Sequence, residues 1–375
     1  MRILMLAPPP GIHGPLPKLL PHLVAALRAS KCEVTLEPWG RRREGERVHH
    51  KIAQRLADIR RVRRTLRQQP FDLLVVQTAH DWATLSRDIP LLLGTRALCR
   101  RSVLHFHGSW CDRLVAPGHV AFKLASAVLL RLSDAALVLS SEEKRQWQSF
   151  YPRGRFHQVC NPLPAVAPLD PTPERSRLGL PTDDPVVLFV GRLIEDKGIR
   201  EVLAILPQLL ARVRVHLLVV GEGPLDGELR RCAGQAGVEQ RVTMAGYLEG
   251  DALHAAYQLA DVFVLPTRAA EGFPLAILEA MASGLPVVTT PIRGMADHLR
   301  ENVNALFVQP RDPGALAAAL IRLLSDPQLR ARMGQANRAT VREFTPDIVG
   351  RHYLKVLRDV VESRTPPATP RRWDD

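Results

Sequence analysis

The chain has 375 residues, 46% apolar and 24% charged, a globular balance that argues against disorder except at the C-terminal end, and it is too long for one core. At roughly 100–200 residues per domain it implies two. The net charge of +13 is uneven: residues 1–165 hold 26 Lys/Arg against 12 Asp/Glu, a net of +14, and the rest holds 25 against 26, a net of −1. An anionic partner is therefore expected for the N-terminal half alone.

In chain order, the first half offers the strands "RILMLA", "EVTLE", "DLLVVQ", "SVLHF", "AALVLS" and "FHQVC". The second half offers "VVLFVG", "VHLLVVG", "RVTMAG", "DVFVLP", "PVVTT" and "ALFVQ". Uninterrupted Val/Leu runs suit strands buried on both faces of a parallel sheet, and the helical stretches between them are long enough for crossovers. The opening run meets three prolines after a few residues, so it reads as a first strand rather than a signal peptide. "FKLASAVLLRLSDAALVLS" is interrupted by Lys123, Arg131 and Asp134 and falls short of the roughly 20 apolar residues of a membrane span. A soluble or peripheral protein is expected. Five scattered cysteines with no C-x-x-C pair point away from disulfides and zinc and towards a reducing cytosol.

These signals predict an α/β chain of two doubly wound parallel-sheet domains. Residues 1–165 form the first, proline-dense residues 166–185 a linker, and residues 186–345 the second. A last helix, 346–362, follows the completed second sheet and is expected to return to the N-terminal domain. The proline-rich tail 363–375 is expected to be disordered.

Residues 48–67 place Val48, Ile52, Leu56, Ile59, Val62 and Leu66 at steps of three and four, one apolar stripe on a helix. Arg55, Arg60, Arg61, Arg63, Arg64 and Arg67 occupy the remaining surface. They form either a solvated face or a docking face for an anionic membrane, where each basic residue contributes about 1 kcal/mol. Nucleic acid is not expected, because no base-stacking platform accompanies the charge.

The chemistry-bearing residues follow the strands, where open α/β sheets bind ligands. After "VVLFV", the loop "GRLIEDKG" carries Arg192 and Lys197 beside a helix start. A guanidinium, an ammonium and free backbone amides together suit a diphosphate. The same two cations could instead pair with Glu195 or Asp196. "GEGP" and "MAGYLEG" are glycine turns where a backbone must come close to something, or ordinary turns. After "DVFVLP" come the loop "TRAAEGF" and the helix "PLAILEAMASG", with Pro274 at its first turn. Glu271 in the loop can accept from hydroxyls. Glu279, in an apolar helix, needs a partner or a diol such as ribose.

"VGRLIEDKG", "EGFPLAILEAMASGLPVV" and "LSDAALVLSSEEKRQW…NPLP" in this order resemble the retaining GT-B glycosyltransferases, the family that includes phosphatidylinositol mannosyltransferases and polysaccharide-assembly enzymes. The resemblance runs from "MRILML" to about Leu357. It implies two Rossmann-like domains facing a central cleft, a nucleotide-sugar donor, and a glycan or lipid-linked acceptor. Arg192 and Lys197 would hold the donor diphosphate and Glu279 the ribose. Glu271 with Gly272, Phe273, Pro274 and Leu275 would orient the sugar, and Gly246 and Tyr247 would face the base. His107 in "LHFHGS" would lie near the sugar and acceptor. Gly11 and Gly14 stand where the family often has a Gly-Gly pair, and "RGMAD", with Arg293 and Asp297, stands for the usual Gly-Gly-x-x-Glu.

Charge developing on the leaving diphosphate would be met by Arg192, Lys197 and the helix end at Phe273. No Asp-x-Asp motif occurs, so no metal and no cofactor are expected. The family implies front-face departure, with the donor phosphate taking the acceptor proton. The expected place of work is the cytoplasm, peripherally at the inner membrane face. A related synthase acting on a soluble acceptor, or a non-catalytic membrane- or partner-binding protein on the same scaffold, remains the alternative.

Overall fold

A computed structural model describes residues 1–9, 14–40, 48–165, 169–269 and 271–363. Among these residues twelve strands form two six-stranded sheets, and every pairing is parallel. All twelve coincide with the apolar runs named above. The first sheet comprises β1 (Arg2–Ala7), β2 (Glu33–Pro38), β3 (Leu73–His80), β4 (Arg101–Ser109), β5 (Ala135–Val138) and β6 (Phe156–Gln158), in the order β2-β1-β3-β4-β5-β6. The second comprises β7 (Val186–Val190), β8 (His216–Val220), β9 (Val242–Gly246), β10 (Val262–Leu265), β11 (Val287–Thr289) and β12 (Ala305–Phe307), in the order β12-β11-β10-β7-β8-β9. These are two Rossmann-like doubly wound sheets, the second in the order usual for dinucleotide-binding folds.

The chain divides into two units. One comprises Met1–Pro164, Ala270–Gly272 and Phe344–Asp375; the other comprises Ala165–Ala269 and Phe273–Glu343. In the first unit, alternate residues of each strand feed opposite faces of the sheet, as the pleat requires. Leu4, Leu6, Leu74, Val76, Leu104 and Phe106 point to one face. There α2 (Val48–Gln68), α3 (Trp82–Thr95), the short α4 (Asp112–Val115), α5 (Val120–Leu132) and α6 (Ser141–Phe150) close over them through Val62, Leu92, Leu114, Phe122 and Trp147. Ile3, Met5, Leu73 and Val75 point to the other face, covered by α1 (Pro15–Ala29) and by the last helix, Pro346–Glu362. That helix sits close on α1, since a Cβ added at Gly350 would lie 2.5 Å from the Ala26 Cβ.

Two expectations need correction. The proline-dense segment is not a bare linker. It contains a helix, Thr172–Arg177, followed by buried Leu178 and Leu180. The stripe on α2 is shorter than its spacing suggests. Ile59, Val62 and Leu66 pack inwards, but Leu56 is 51% exposed. At 100° per residue Leu56 falls about 90° from the centre of that stripe. Arg55 takes the inner position instead and donates to the Ser86 Oγ at 3.3 Å. The Val48 and Ile52 side chains and the tail 364–375 lie outside the described residues.

Candidate active site

In the second sheet the strand order reverses between β7 and β10, the switch point at which doubly wound sheets bind ligands. The loops leaving these two strands are "GRLIEDKG" and "TRAAEGF", and the structure ties them together. The Asp196 carbonyl accepts from the backbone N–H groups of Arg268 at 2.8 Å and Ala269 at 3.2 Å, and from the Thr267 hydroxyl at 3.1 Å. Arg268 also spreads its guanidinium over Glu195 and Asp196, at 3.1 Å each, and Glu201 at 3.3 Å. Arg200 takes the other Glu195 oxygen at 3.1 Å. The two loop acids are therefore engaged by Arg268 and Arg200. Arg192 stays exposed at the start of the loop, and Lys197 is buried.

The glycine turns have a mechanical reason. Gly221 adopts φ +140°, and a Cβ there would lie 1.9 Å from the Gly191 carbonyl oxygen. The exits of β7, β8 and β9 are stitched side by side, with Gly191 N–H donating to Val220 O at 3.0 Å and Gly221 N–H to Gly246 O at 2.8 Å. Gly246 turns with φ +70°, and the half-exposed Tyr247 hydroxyl donates to Glu249 at 3.3 Å.

The motif helix spans Leu275–Ala282 with Pro274 as its cap residue. Pro274 has no N–H and makes no side-chain cap, so the first-turn amides of Leu275 and Ala276 are the outward donors. Phe273 is buried against the His298 ring, 5.0 Å between centroids. Glu279 is half-buried and its Oε2 accepts from the Tyr257 hydroxyl at 2.9 Å. Tyr257 is fully buried on the helix Gly250–Leu259. Burial, then the Glu279 charge and the hydrogen bond to it, hold this phenol well above its ordinary range, so it remains a donor. The structure thus brings Arg192, Lys197, Gly246, Tyr247, Phe273, Pro274, Leu275 and Glu279 to the strand ends of one unit. Glu271 and Gly272 belong to the other unit, where a Cβ on Gly272 would lie 2.1 Å from the Leu139 Cβ.

In that first unit His107 stands on β4 with its Nε2 2.6 Å from the Gln77 Oε1 and its ring 4.1 Å from that of His105. Gln77 in turn reaches the Tyr353 hydroxyl at 3.4 Å, and Tyr353 lies 3.2 Å from the His105 Nδ1. The last helix therefore supplies one member of this buried polar chain. Gly14 precedes α1 with φ +148° and open space around its Cα; Gly11 lies outside the described residues. On α2, Arg61 is committed to Glu37 at 2.8 Å and Asp58 at 2.6 Å, Arg55 and Arg63 are half-buried, and Arg60, Arg64 and Arg67 are exposed.

Burial pushes His107 down to about 4 and His80 down to about 3. Both are neutral in the fold, whereas an unfolded histidine titrates near about 6.5. Folded values below the unfolded one mean that the unfolded chain binds more protons. Stability then falls as pH drops below about 6.5, by up to about 1.4 kcal/mol per pH unit for each such histidine. Urea unfolding measured between pH 7 and pH 5 is expected to show this decline, with a shallower slope for His80→Gln whatever its absolute stability. An unchanged slope would remove His80 from the account.

Sequence reasoning missed Tyr257, Arg268, Gln77 and Tyr353. Arg268 was visible as a lone cation in the quoted loop; the other three gave no local signal.

Residues 170–340 match the family Glycosyl transferases group 1, and residues 20–165 match Glycosyltransferase Family 4. A D-inositol 3-phosphate glycosyltransferase of Xylanimonas cellulosilytica is 35% identical over 301 residues, 76% of this chain and 70% of that protein. A GDP-mannose-dependent alpha-(1-6)-phosphatidylinositol monomannoside mannosyltransferase of Mycolicibacterium smegmatis is 31% identical, over 68% of this chain and 70% of that one. A glycosyltransferase of Methanocaldococcus jannaschii, described as uncharacterized, is 32% identical over 50% of this chain, which spans about half its length, 48%. Among solved structures, sucrose-phosphate synthase from Thermosynechococcus elongatus superposes with a TM-score of 0.76 at 21% identity, covering 96% of this chain and 98% of that one. HepE of Anabaena, solved with UDP-glucose, gives 0.75 at 20% identity, covering 96% and 100%. Two parallel Rossmann-like sheets, the two family matches and these relatives converge: the chain belongs to the GT-B glycosyltransferases.

Proposed function

We propose that the protein transfers a sugar from a nucleoside-diphosphate sugar to a hydroxyl of a lipid-linked acceptor, with retention of configuration. The observation that carries this reading is Glu279, oriented by Tyr257 one turn behind the amide end of the helix Leu275–Ala282. A fixed carboxylate suits the vicinal hydroxyls of a ribose. The amides of Leu275 and Ala276 suit a phosphate. Arg192 and Lys197, on the loop at the switch point, add the fixed positive charge on which a leaving diphosphate depends. Because these cations belong to the chain itself, turnover is expected to persist in a chelator.

His107 is assigned to a substrate hydroxyl rather than to a charge, since burial keeps it neutral. Front-face departure gives the acceptor proton to the donor phosphate and requires no side-chain nucleophile. The acceptor class rests on relatives named for an inositol phosphate and a phosphatidylinositol mannoside. The positive surplus of residues 1–165 fits work at an anionic membrane face.

Calorimetric titration of the full chain with UDP, GDP and ADP tests the donor assignment. One nucleotide is expected to bind at least about tenfold more tightly than the others, a difference of about 1.4 kcal/mol in base recognition. Binding of none of the three would sink it. With that nucleotide's sugar as donor, the anomeric proton coupling of the product then decides between retention and inversion.

A further inference from the structure

The surplus positive charge points to an anionic surface but does not say which part of the first unit meets it. Among the described residues no helix is long and apolar enough to cross a membrane. The surface does, however, carry an unusual apolar feature. Among the described residues, seven of the twelve exposed large hydrophobic side chains run from Trp82 to Val128. Three of them repeat at four-residue steps along α5: Val120 is 68% exposed, Leu124 64% and Val128 45%. The opposite side of α5 buries Phe122, Leu129 and Leu130. The helix is therefore apolar on its outer ridge as well as on its buried side.

Trp110 and Val115, just before α5, extend the exposed apolar surface, and the Arg113 guanidinium stands 3.9 Å over the Trp110 ring. No Asp or Glu occurs from residue 113 to 133, a stretch that holds Arg113, Lys123 and Arg131. The helices α2, α3 and α5 share one apolar cluster, on one face of the sheet. The exposed arginines of α2, Arg60, Arg64 and Arg67, therefore belong to the same helical layer as the ridge.

An apolar ridge with a tryptophan, where residues 110–133 set three cations against the single acid Asp112, has the composition of an element lying in the headgroup zone of a bilayer. A protein partner would be met by the apolar ridge alone; the accompanying surplus of positive charge is complementary to anionic lipid. We propose that Val120, Leu124 and Val128, with Trp110, insert into an anionic lipid surface. Arg113, Arg131 and the outer face of α2 then contact the lipid phosphates. This deepens the lipid-linked-acceptor reading and rests on it.

The test is sedimentation of the full chain with phosphatidylcholine vesicles, with and without phosphatidylglycerol. Leu124→Glu and the milder Val120→Ser are compared with wild type, and the UDP, GDP and ADP titrations are repeated on the same preparations. Wild type is expected to sediment with the anionic vesicles and to retain part of that binding at raised salt. Leu124→Glu is expected to lose about tenfold in partitioning, the value of one buried apolar side chain exchanged for a charge, with nucleotide binding unchanged. Val120→Ser should lose less. Absence of wild-type binding to anionic vesicles overturns the proposal, and so does binding by both variants equal to that of wild type. A wild-type dimer that Leu124→Glu dissociates overturns it too, since the ridge would then be a contact between copies. A wild type that binds nucleotide but not anionic vesicles counts against the ridge, whereas absence of nucleotide binding in wild type counts against the transferase reading.

Discussion

Replacing Glu279 with alanine is expected to weaken binding of the cognate nucleotide by about 2–4 kcal/mol, roughly 30- to 700-fold in Kd. The estimate takes a carboxylate accepting one or two charge-assisted hydrogen bonds from a diol. Tyr257→Phe removes only the group that orients the carboxylate, so it should cost about 1 kcal/mol, one ordinary hydrogen bond. Stability separates the two roles. In Glu279→Ala the fully buried Tyr257 hydroxyl loses its acceptor, which costs about 1–3 kcal/mol. The double variant Tyr257→Phe/Glu279→Ala removes both groups and should recover part of that loss in urea unfolding, while binding nucleotide no better than Glu279→Ala. A Kd unmoved by Glu279→Ala would end the ribose assignment, and a double variant no more stable than the single one would end the Tyr257 account.

The strands were legible because both faces of each sheet are covered by helices. A strand buried on both sides must be apolar at successive positions, and only turn residues break the run. "VVLFVG" and "DVFVLP" announce themselves for that reason, and so do the loops that follow them. What the sequence withheld is pairing across distance. Tyr257 and Glu279 are separated by 22 residues, Arg268 and Asp196 by 72, and Gln77 and Tyr353 by 276. Nothing near any of these residues names its partner. The orientation of α5 was withheld differently. "FKLASAVLLRLS" is apolar at nearly every turn, so periodicity could not separate the ridge Val120/Leu124/Val128 from the buried side. On α2 the steps of three and four were real, yet Leu56 faces out because such steps drift around the helix.

Arg293 is the one place where a family departure can be read as stored energy. It is 3% exposed, at the cap of the short helix Gly294–His298, with φ 48° and ψ −126°. That region is comfortable only for glycine, the residue that the family often has here. Holding arginine in it costs about 1–3 kcal/mol. Arg293→Gly and Arg293→Ala both lose the guanidinium, so comparing them isolates the backbone term. At an ordinary position glycine is less stable than alanine by about 0.5–1 kcal/mol. Here the order should reverse, with Arg293→Gly the more stable by about 1–3 kcal/mol, or about 2–12 °C in the midpoint of a unit of 150–250 residues. Affinity for nucleotide should be equal in the two variants, because neither carries the side chain. If both bind more weakly than wild type, the chain retains strain that glycine would relieve because the Arg293 guanidinium, which follows β11 on the edge that bears Arg192 and Lys197, serves the donor. If glycine proves less stable than alanine, the backbone at Arg293 is not strained and the reading of it as a tolerated cost fails.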